Sequence, residues 1–458
     1  MTKKLCLFTL FFSFFMAFVM ENDPCFPGSL CNSKVPSPCL FQDLNPENQQ
    51  DSYNLPPEPR IMVQEEVKGK QGCVMPKILI FTSGGGGGHL SASNALQSYF
   101  EPKFQVQQSS IFSEVLGKFD PLAVVTGGYI SEESFYNYLI KRQQFGLFNK
   151  VVGFAQSLYD WFDMGMTQRV KSYLEDQKPD LVISVAPLAN HAIAQACASL
   201  DLPFLLNATD TDTALFTYNM GSIHHLDYMI NIPFMYDPVE KRLKEDAVDM
   251  SHVVSYGFPL RKDFYEKKNI PALKNKHNVP LNKPVILVMM GAQGSTGIFT
   301  IVQSLTKLTK CAHVIAILGN SYEELKPQID DYLKSNGVRH VAFDLIERTN
   351  RMSDFMAMAD VIVGKSGGAT VCEAIQMQRP MFLDATKTPV IWEQMSQKFM
   401  QENNLGFIVH DFHDLGAQIA AYLDNAVLQK RVKQSLARYF HDDTPKKMYD
   451  MCMQLLQK

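Results

Sequence analysis

Apolar and polar residues alternate in blocks along this chain, and the blocks repeat. The run Lys77-Ile78-Leu79-Ile80-Phe81 is continuously apolar after its lysine, as a parallel strand buried on both faces requires. Further likely strands lie at 104–111, 180–185, 203–207, 227–232 and 252–254. A second series follows at 285–290, 313–318, 338–344, 361–364 and 380–383. Helical stretches separate them, and strands alternating with helices predict two doubly wound parallel sheets. Pro271, Pro280 and Pro284 mark the segment 267–283 as the connection between them. Ser321 with Glu324 predicts a capping box at one helix start.

Two stretches break the alternation. Lys3-Lys4 precedes an apolar run, Leu5 to Met20, which reads as a signal peptide or an N-terminal membrane anchor, residues 1–20. Residues 21–74 are rich in Pro, Asn, Gln and Ser and read as a linker. The expected domains are 75–265 and 266–458. Within the first, 131–176 reads as long helix without strands. Its part 135–162 interleaves Phe135, Tyr136, Tyr138, Phe145, Phe148, Phe154, Tyr159, Trp161 and Phe162 with Lys141, Arg142 and Lys150. That pattern suits either a helical core layer or a lipid-facing interface.

Composition narrows the class. Hydrophobic residues make up 46% and charged residues 20% of 458, as in a globular body. The net charge of -4 gives no overall case for nucleic-acid binding. Nine cysteines include no close CxxC pair, so no zinc-type site is expected. The later ones, Cys73, Cys197, Cys311, Cys372 and Cys452, are expected as reduced, buried thiols.

Candidate chemistry gathers after the strands, where open α/β sheets bind ligands. Gly84 to Gly88 are five glycines ending on His89. Gly86, Gly87 and Gly88 leave room for a substrate, and an imidazole serves proton transfer near neutral pH. Asp210, in Thr209-Asp210-Thr211-Asp212, is expected as an orienting carboxylate or second base. Its Asp-x-Asp spacing also matches a metal-binding pattern, but no metal is expected. In the second half, Ser366, Gly367, Gly368 and Thr370 form a loop that opens a helix at 369 or 370 and aims N–H groups at a diphosphate. Glu373, one turn on, is placed to accept ribose hydroxyls, or serves as a first-turn Glu behind a capping Thr. Arg261 is a candidate phosphate clamp. Gly291, Gln293 and Gly294 form a weaker glycine turn.

From Lys77 to Val409 these motifs together resemble the GT-B glycosyltransferases that include monogalactosyldiacylglycerol synthases and processive diacylglycerol glucosyltransferases. The peptidoglycan lipid II N-acetylglucosaminyltransferase is a more distant likeness. The matching pieces are the glycines to His89, Thr209-Asp210, Gly257-x-Pro259-x-Arg261, Gly291-x-Gln293-Gly294 and Lys365 to Ala374. Glu393 aligns with a donor-sugar Glu, while Trp392 and Ser396 stand where the family carries Gln and Asn.

The resemblance implies two Rossmann-like domains facing a cleft. It implies a UDP-sugar, a substrate rather than a cofactor, on the second domain and a lipid acceptor, diacylglycerol foremost, on the first. The reaction would invert the anomeric carbon without a metal, moving galactose or glucose. His89 would be the base, Arg261 and 291–294 would hold the diphosphate, and Glu373 the ribose. Region 135–162 would touch the membrane, with the body facing the cytoplasm where UDP-sugars are made, or exported if the leader is cleaved. Alternatives are transfer of N-acetylglucosamine to a polyprenyl or glycolipid acceptor, epimerisation of a nucleotide sugar, and a non-catalytic nucleotide- or lipid-binding homologue.

Overall fold

The computed structural model describes residues 75–84, 87–101, 103–125, 131, 145–291, 297–338 and 340–457. The expected leader and linker, 1–74, lie outside them, as do Gly86, Gln293 and Gly294. Residues 75–458 form one compact unit.

That unit contains two six-stranded parallel sheets. The first comprises β1 (Lys77–Thr82), β2 (Gln105–Ser110), β3 (Leu181–Ser184), β4 (Phe204–Asn207), β5 (Tyr228–Asn231) and β6 (Val253–Val254), in the order β2-β1-β3-β4-β5-β6. The second comprises β7 (Val285–Met289), β8 (Ala312–Ile317), β9 (Val341–Ile346), β10 (Val361–Gly364), β11 (Met381–Asp384) and β12 (Gly406–Val409), in the order β12-β11-β10-β7-β8-β9. In both, the strand order reverses beside the first strand. Such switch points leave a crevice at the carboxyl ends of the strands.

The central strands are mostly apolar because both of their faces are covered, with polar residues such as Ser184, Asn207 and Asn231 at their carboxyl ends. In β1, Ile78 and Ile80 point into one core while Leu79 and Phe81 point into the other, and all four are fully buried. Register follows directly: Ile78 pairs with Val106 on one side and with Leu181 on the other. The polar β2, QVQQSS, is tolerated because it is the edge strand.

Five helices position the site. They are α1 (Gly87–Phe100), α2 (Phe145–Gln177), α3 (Gly368–Gln376), α4 (Ile391–Glu402) and α5 (Thr444–Leu456). The long helix expected across 131–176 is α2; residues 132–144 lie outside the described residues. The last helix, α5, returns to the first sheet's layer. There Tyr449 packs on Phe104 with ring centroids 5.7 Å apart, and the Thr444 hydroxyl donates to the Tyr256 carbonyl at 2.6 Å.

Three expectations are corrected. The Ser321 side chain makes no capping bond, so the capping box does not form; a 3-10 turn, Gly319–Ser321, leads into that helix instead. α3 starts at Gly368 with Gly367 as its cap residue, not at 369 or 370, and Thr370 lies inside the helix. Cys311 is exposed, while Cys197, Cys372 and Cys452 are buried free thiols.

Candidate active site

Loops at the carboxyl ends of the strands of both sheets meet in this unit. The first follows β1. α1 begins at Gly87, so His89 sits in its first turn, half-buried. Its Nδ1 lies 3.0 Å from the Val185 carbonyl oxygen just past β3, and 2.7 Å from Thr209 Oγ1 just past β4. A carbonyl only accepts, so this network assigns the ring proton to Nδ1. Nε2 is then left with its lone pair. Burial against protein lowers the His89 pKa to about 4, opposed by the Val185 bond. The imidazole is therefore neutral at pH 7, with one nitrogen anchored and the other basic.

Around His89 the glycines are open. A Cβ on Gly87 would meet nothing within 4 Å, and one on Gly88 would meet only the Ala369 Cβ at 3.7 Å. The Phe216 ring stands 6.1 Å from the imidazole.

The second glycine loop is filled instead. A Cβ on Gly368 would lie 2.5 Å from both Asp210 Oδ1 and the Thr209 carbonyl oxygen, so the first turn of α3 packs on the loop after β4. Within this loop it is Thr209 that hydrogen-bonds His89 Nδ1. The Asp210 carboxyl instead accepts from the Gly368 N–H. Its pKa rises to about 7, through burial first and then the charges of Glu393 and Asp212.

Glu393, on the first turn of α4, faces the same space. Its Oε1 is 3.9 Å from where a Gly367 Cβ would be. Burial raises its pKa to about 6, opposed by Lys365. Ser366 is buried and its hydroxyl accepts from Gln397 Nε2 at 3.1 Å. Gly291 follows β7 at φ +80, a left-handed conformation that favours glycine.

Arg261 and Glu373 form the remaining wall. Arg261 Nε reaches Asp263 Oδ1 at 3.3 Å, and its Nη2 is buried with no partner. A buried guanidinium nitrogen without an acceptor is costly, and an anion would satisfy it. Burial raises the Glu373 pKa to about 7 despite nearby Arg261. The Arg261 loop is fixed from below by Asn231, which is fully buried. Asn231 Nδ2 donates to Asn207 Oδ1 at 2.7 Å and to the Gly257 carbonyl at 2.9 Å, while its Oδ1 accepts from the Tyr256 N–H at 2.9 Å. One amide thus ties the end of β4 to the chain leading to Arg261.

The arrangement brings together His89, Asp210, Gly368 and Glu393, with Gly367, Ser366 and the Arg261–Glu373 wall beside them. Sequence reasoning missed Val185, Thr209 as the partner of His89, and Asn231. Val185 acts through its backbone, which no side-chain pattern signals. The polar run 209–212 after an apolar strand was the available signal for Thr209. Among the described residues no group of three or more His, Cys, Asp or Glu is placed to hold a metal ion.

Comparison with known proteins agrees with this fold. Residues 285–448 match the glycosyltransferase family 28 C-terminal domain. The processive diacylglycerol beta-glucosyltransferase of Bacillus cereus (strain G9842) is 24% identical over 369 residues, covering 79% of this chain and 89% of the relative. That of Bacillus thuringiensis (strain Al Hakam) is 23% identical over 387 residues, covering 83% and 94%. Among solved structures, MurG of Acinetobacter baumannii superposes with a TM-score of 0.57 at 13% identity, covering 83% of this chain and 99% of MurG. Phytolacca americana UGT2, complexed with UDP-2-fluoro-glucose and pterostilbene, gives 0.53 at 11% identity, covering 84% and 100%. The likeness to the glycosyltransferase family 28 C-terminal domain is thus confined to residues 285–448, and the chain as a whole is a glycosyltransferase of GT-B fold.

Proposed function

We propose that this protein transfers a hexose, glucose or galactose, from a UDP-sugar to the hydroxyl of a membrane lipid, diacylglycerol foremost. The observation that carries the reading is His89. Val185 and Thr209 fix its Nδ1 proton and leave Nε2 free beside an open space bounded by Gly87 and Gly88. The names of the relatives supply the acceptor class.

The steps follow from the positions. The lipid hydroxyl gives its proton to His89 Nε2 while its oxygen attacks the anomeric carbon. The bond from that carbon to the diphosphate oxygen breaks on the opposite face, so the configuration inverts and UDP leaves. The leaving diphosphate gains negative charge. The Gly368 N–H is taken by Asp210, so the next N–H groups of α3, at Ala369 and Thr370, and the unpartnered Arg261 Nη2 are the donors proposed to stabilise it. Glu373 accepts from the ribose, and Glu393 from the hexose. Asp210 holds a donor-domain N–H, so its role is in the cleft between the sheets rather than on the base.

The membrane contact is part of the proposal. On α2 and the turns packed on it, Phe119, Val124, Trp161 and Met164 are exposed, Met164 by 83%, with Lys118 and Arg169 exposed among them. Apolar side chains flanked by cations suit a bilayer interface. No helix among the described residues is long and apolar enough to cross a membrane, so this contact would be peripheral. A body facing the cytoplasm, with the leader as anchor, fits the supply of UDP-sugars.

Incubation with diacylglycerol vesicles and either UDP-glucose or UDP-galactose tests the reading. The expected product is a hexosyl-diacylglycerol of inverted configuration. UDP binding without any lipid product would show a binding protein instead, and conversion of the donor without acceptor would show an epimerase.

A further inference from the structure

Two buried hydroxyls meet across the cleft. Thr211 Oγ1, from the loop after β4, lies 2.7 Å from Ser396 Oγ, one turn into α4. Thr211 is 2% exposed and Ser396 is fully buried. Tyr236 packs on Phe399 with centroids 4.7 Å apart, and Phe234 stacks on Phe399 at 5.0 Å, so aromatic rings from both sheets wall off this part of the cleft. A hydrogen bond kept from water in this way is stronger than an exposed one, and costly to leave half-made.

The position of the pair gives it meaning. Thr211 is two residues beyond Thr209, which holds His89. Ser396 is three residues beyond Glu393, hence on the same face of α4. Between them Asp210 accepts from Gly368 N–H at the start of α3. We propose that Thr211 and Ser396 are positioning residues that set the register between the acceptor-side base and the donor-side helices. Neither touches the reacting atoms. They hold His89 and Glu393 at the separation that transfer needs, and a small misplacement there costs turnover more than binding. The roles of the two ends rest on the function proposed above, whereas the contact itself does not.

The test uses Thr211→Val, Ser396→Ala and the double variant in the full chain, with Thr211→Ser as the conservative replacement. Each single substitution is expected to lower kcat about 10-fold while the Kd for UDP, measured by calorimetry, stays within about twofold. The double variant is expected to be no worse than either single one, because both remove the same contact, and Thr211→Ser restores kcat. Unchanged kcat, additive losses, or UDP binding weakened in step with kcat would overturn the proposal. Hydrogen exchange of the amides at 366–372, followed without donor or acceptor, keeps the proposal testable even if the wild-type chain transfers no hexose. Faster exchange in the Thr211→Val and Ser396→Ala chains supports the register role, and exchange identical to wild type contradicts it.

Discussion

The two glycine loops make the most instructive comparison in the molecule. Both follow a buried first or central strand, and both open a helix: 82–89 leads into α1 and 364–370 into α3. Their glycines serve opposite ends. At Gly87 the space a side chain would take is empty. At Gly364 it is occupied by the Met289 carbonyl oxygen, 2.7 Å away, and at Gly368 by Asp210 and Thr209. One loop leaves open space beside His89; the other lets backbone approach backbone, so that one sheet's loop seats on the other sheet's helix. A run of glycines thus carries no fixed meaning, and what stands where the Cβ would be decides it.

The largest expected effect comes from removing the group that the open loop delivers. His89→Ala should lower turnover by about 10²–10⁴-fold, the usual worth of a general base, with UDP affinity unchanged by calorimetry. The filled loop should be nearly as sensitive. Gly368→Ala forces a Cβ to 2.5 Å from two oxygens, so the loop at 209–211 must move, and turnover is expected to fall about 10²-fold. Gly87→Ala sharpens the contrast. The folded chain accepts that methyl, so the melting temperature should hold, while transfer to bulky lipids drops because the methyl enters the substrate's space. Equal thermal destabilisation by the two alanines would erase the distinction between the loops.

A smaller effect is expected from charge. The Glu373 pKa is raised from 4.5 to about 7 by burial. A carboxyl raised on folding favours the folded state below its unfolded pKa, and that contribution is lost as pH climbs through the folded value. Between pH 4.5 and 7 the ionised side chain therefore becomes a growing cost. Glu373→Gln removes it and should stabilise the chain at pH 8 by on the order of 1–3 kcal/mol, with little change at pH 4.5, as thermal melts at the two values would show. The same variant should bind UDP about tenfold more weakly. The subtlest check is spectroscopic. Imidazole NMR should find His89 neutral with its proton on Nδ1 at pH 7, titrating near 4. A pKa near 6.5 would mean that its surroundings are wetter than the cleft implies.

The parts of this fold that were legible in sequence are those fixed by local pattern. Val285–Met289 and Val361–Gly364 are buried strands because nothing in them suits any other place, and His89 stood out because an imidazole ends a glycine run. What failed depended on exact local geometry or on contacts between distant residues. Ser321 and Glu324 had the spacing of a capping box, but the chain enters that helix through a 3-10 turn. Asp210 stood out by its residue type, while the neighbour that bonds His89 is Thr209. The strand expected at 338–344 lies at 341–346, on the sheet's edge, where polarity blurs the pattern. No local signal announced that the final helix crosses back to the first sheet.

The central claim is that His89 activates a lipid hydroxyl against a UDP-hexose. Mass spectrometry of diacylglycerol vesicles incubated with UDP-glucose or UDP-galactose, for wild type and His89→Ala side by side, tests it most directly. The account predicts a hexosyl-diacylglycerol from the wild type and almost none from a variant that still binds UDP. Comparable product from both, or no lipid product from a wild type that binds the donor, would contradict it.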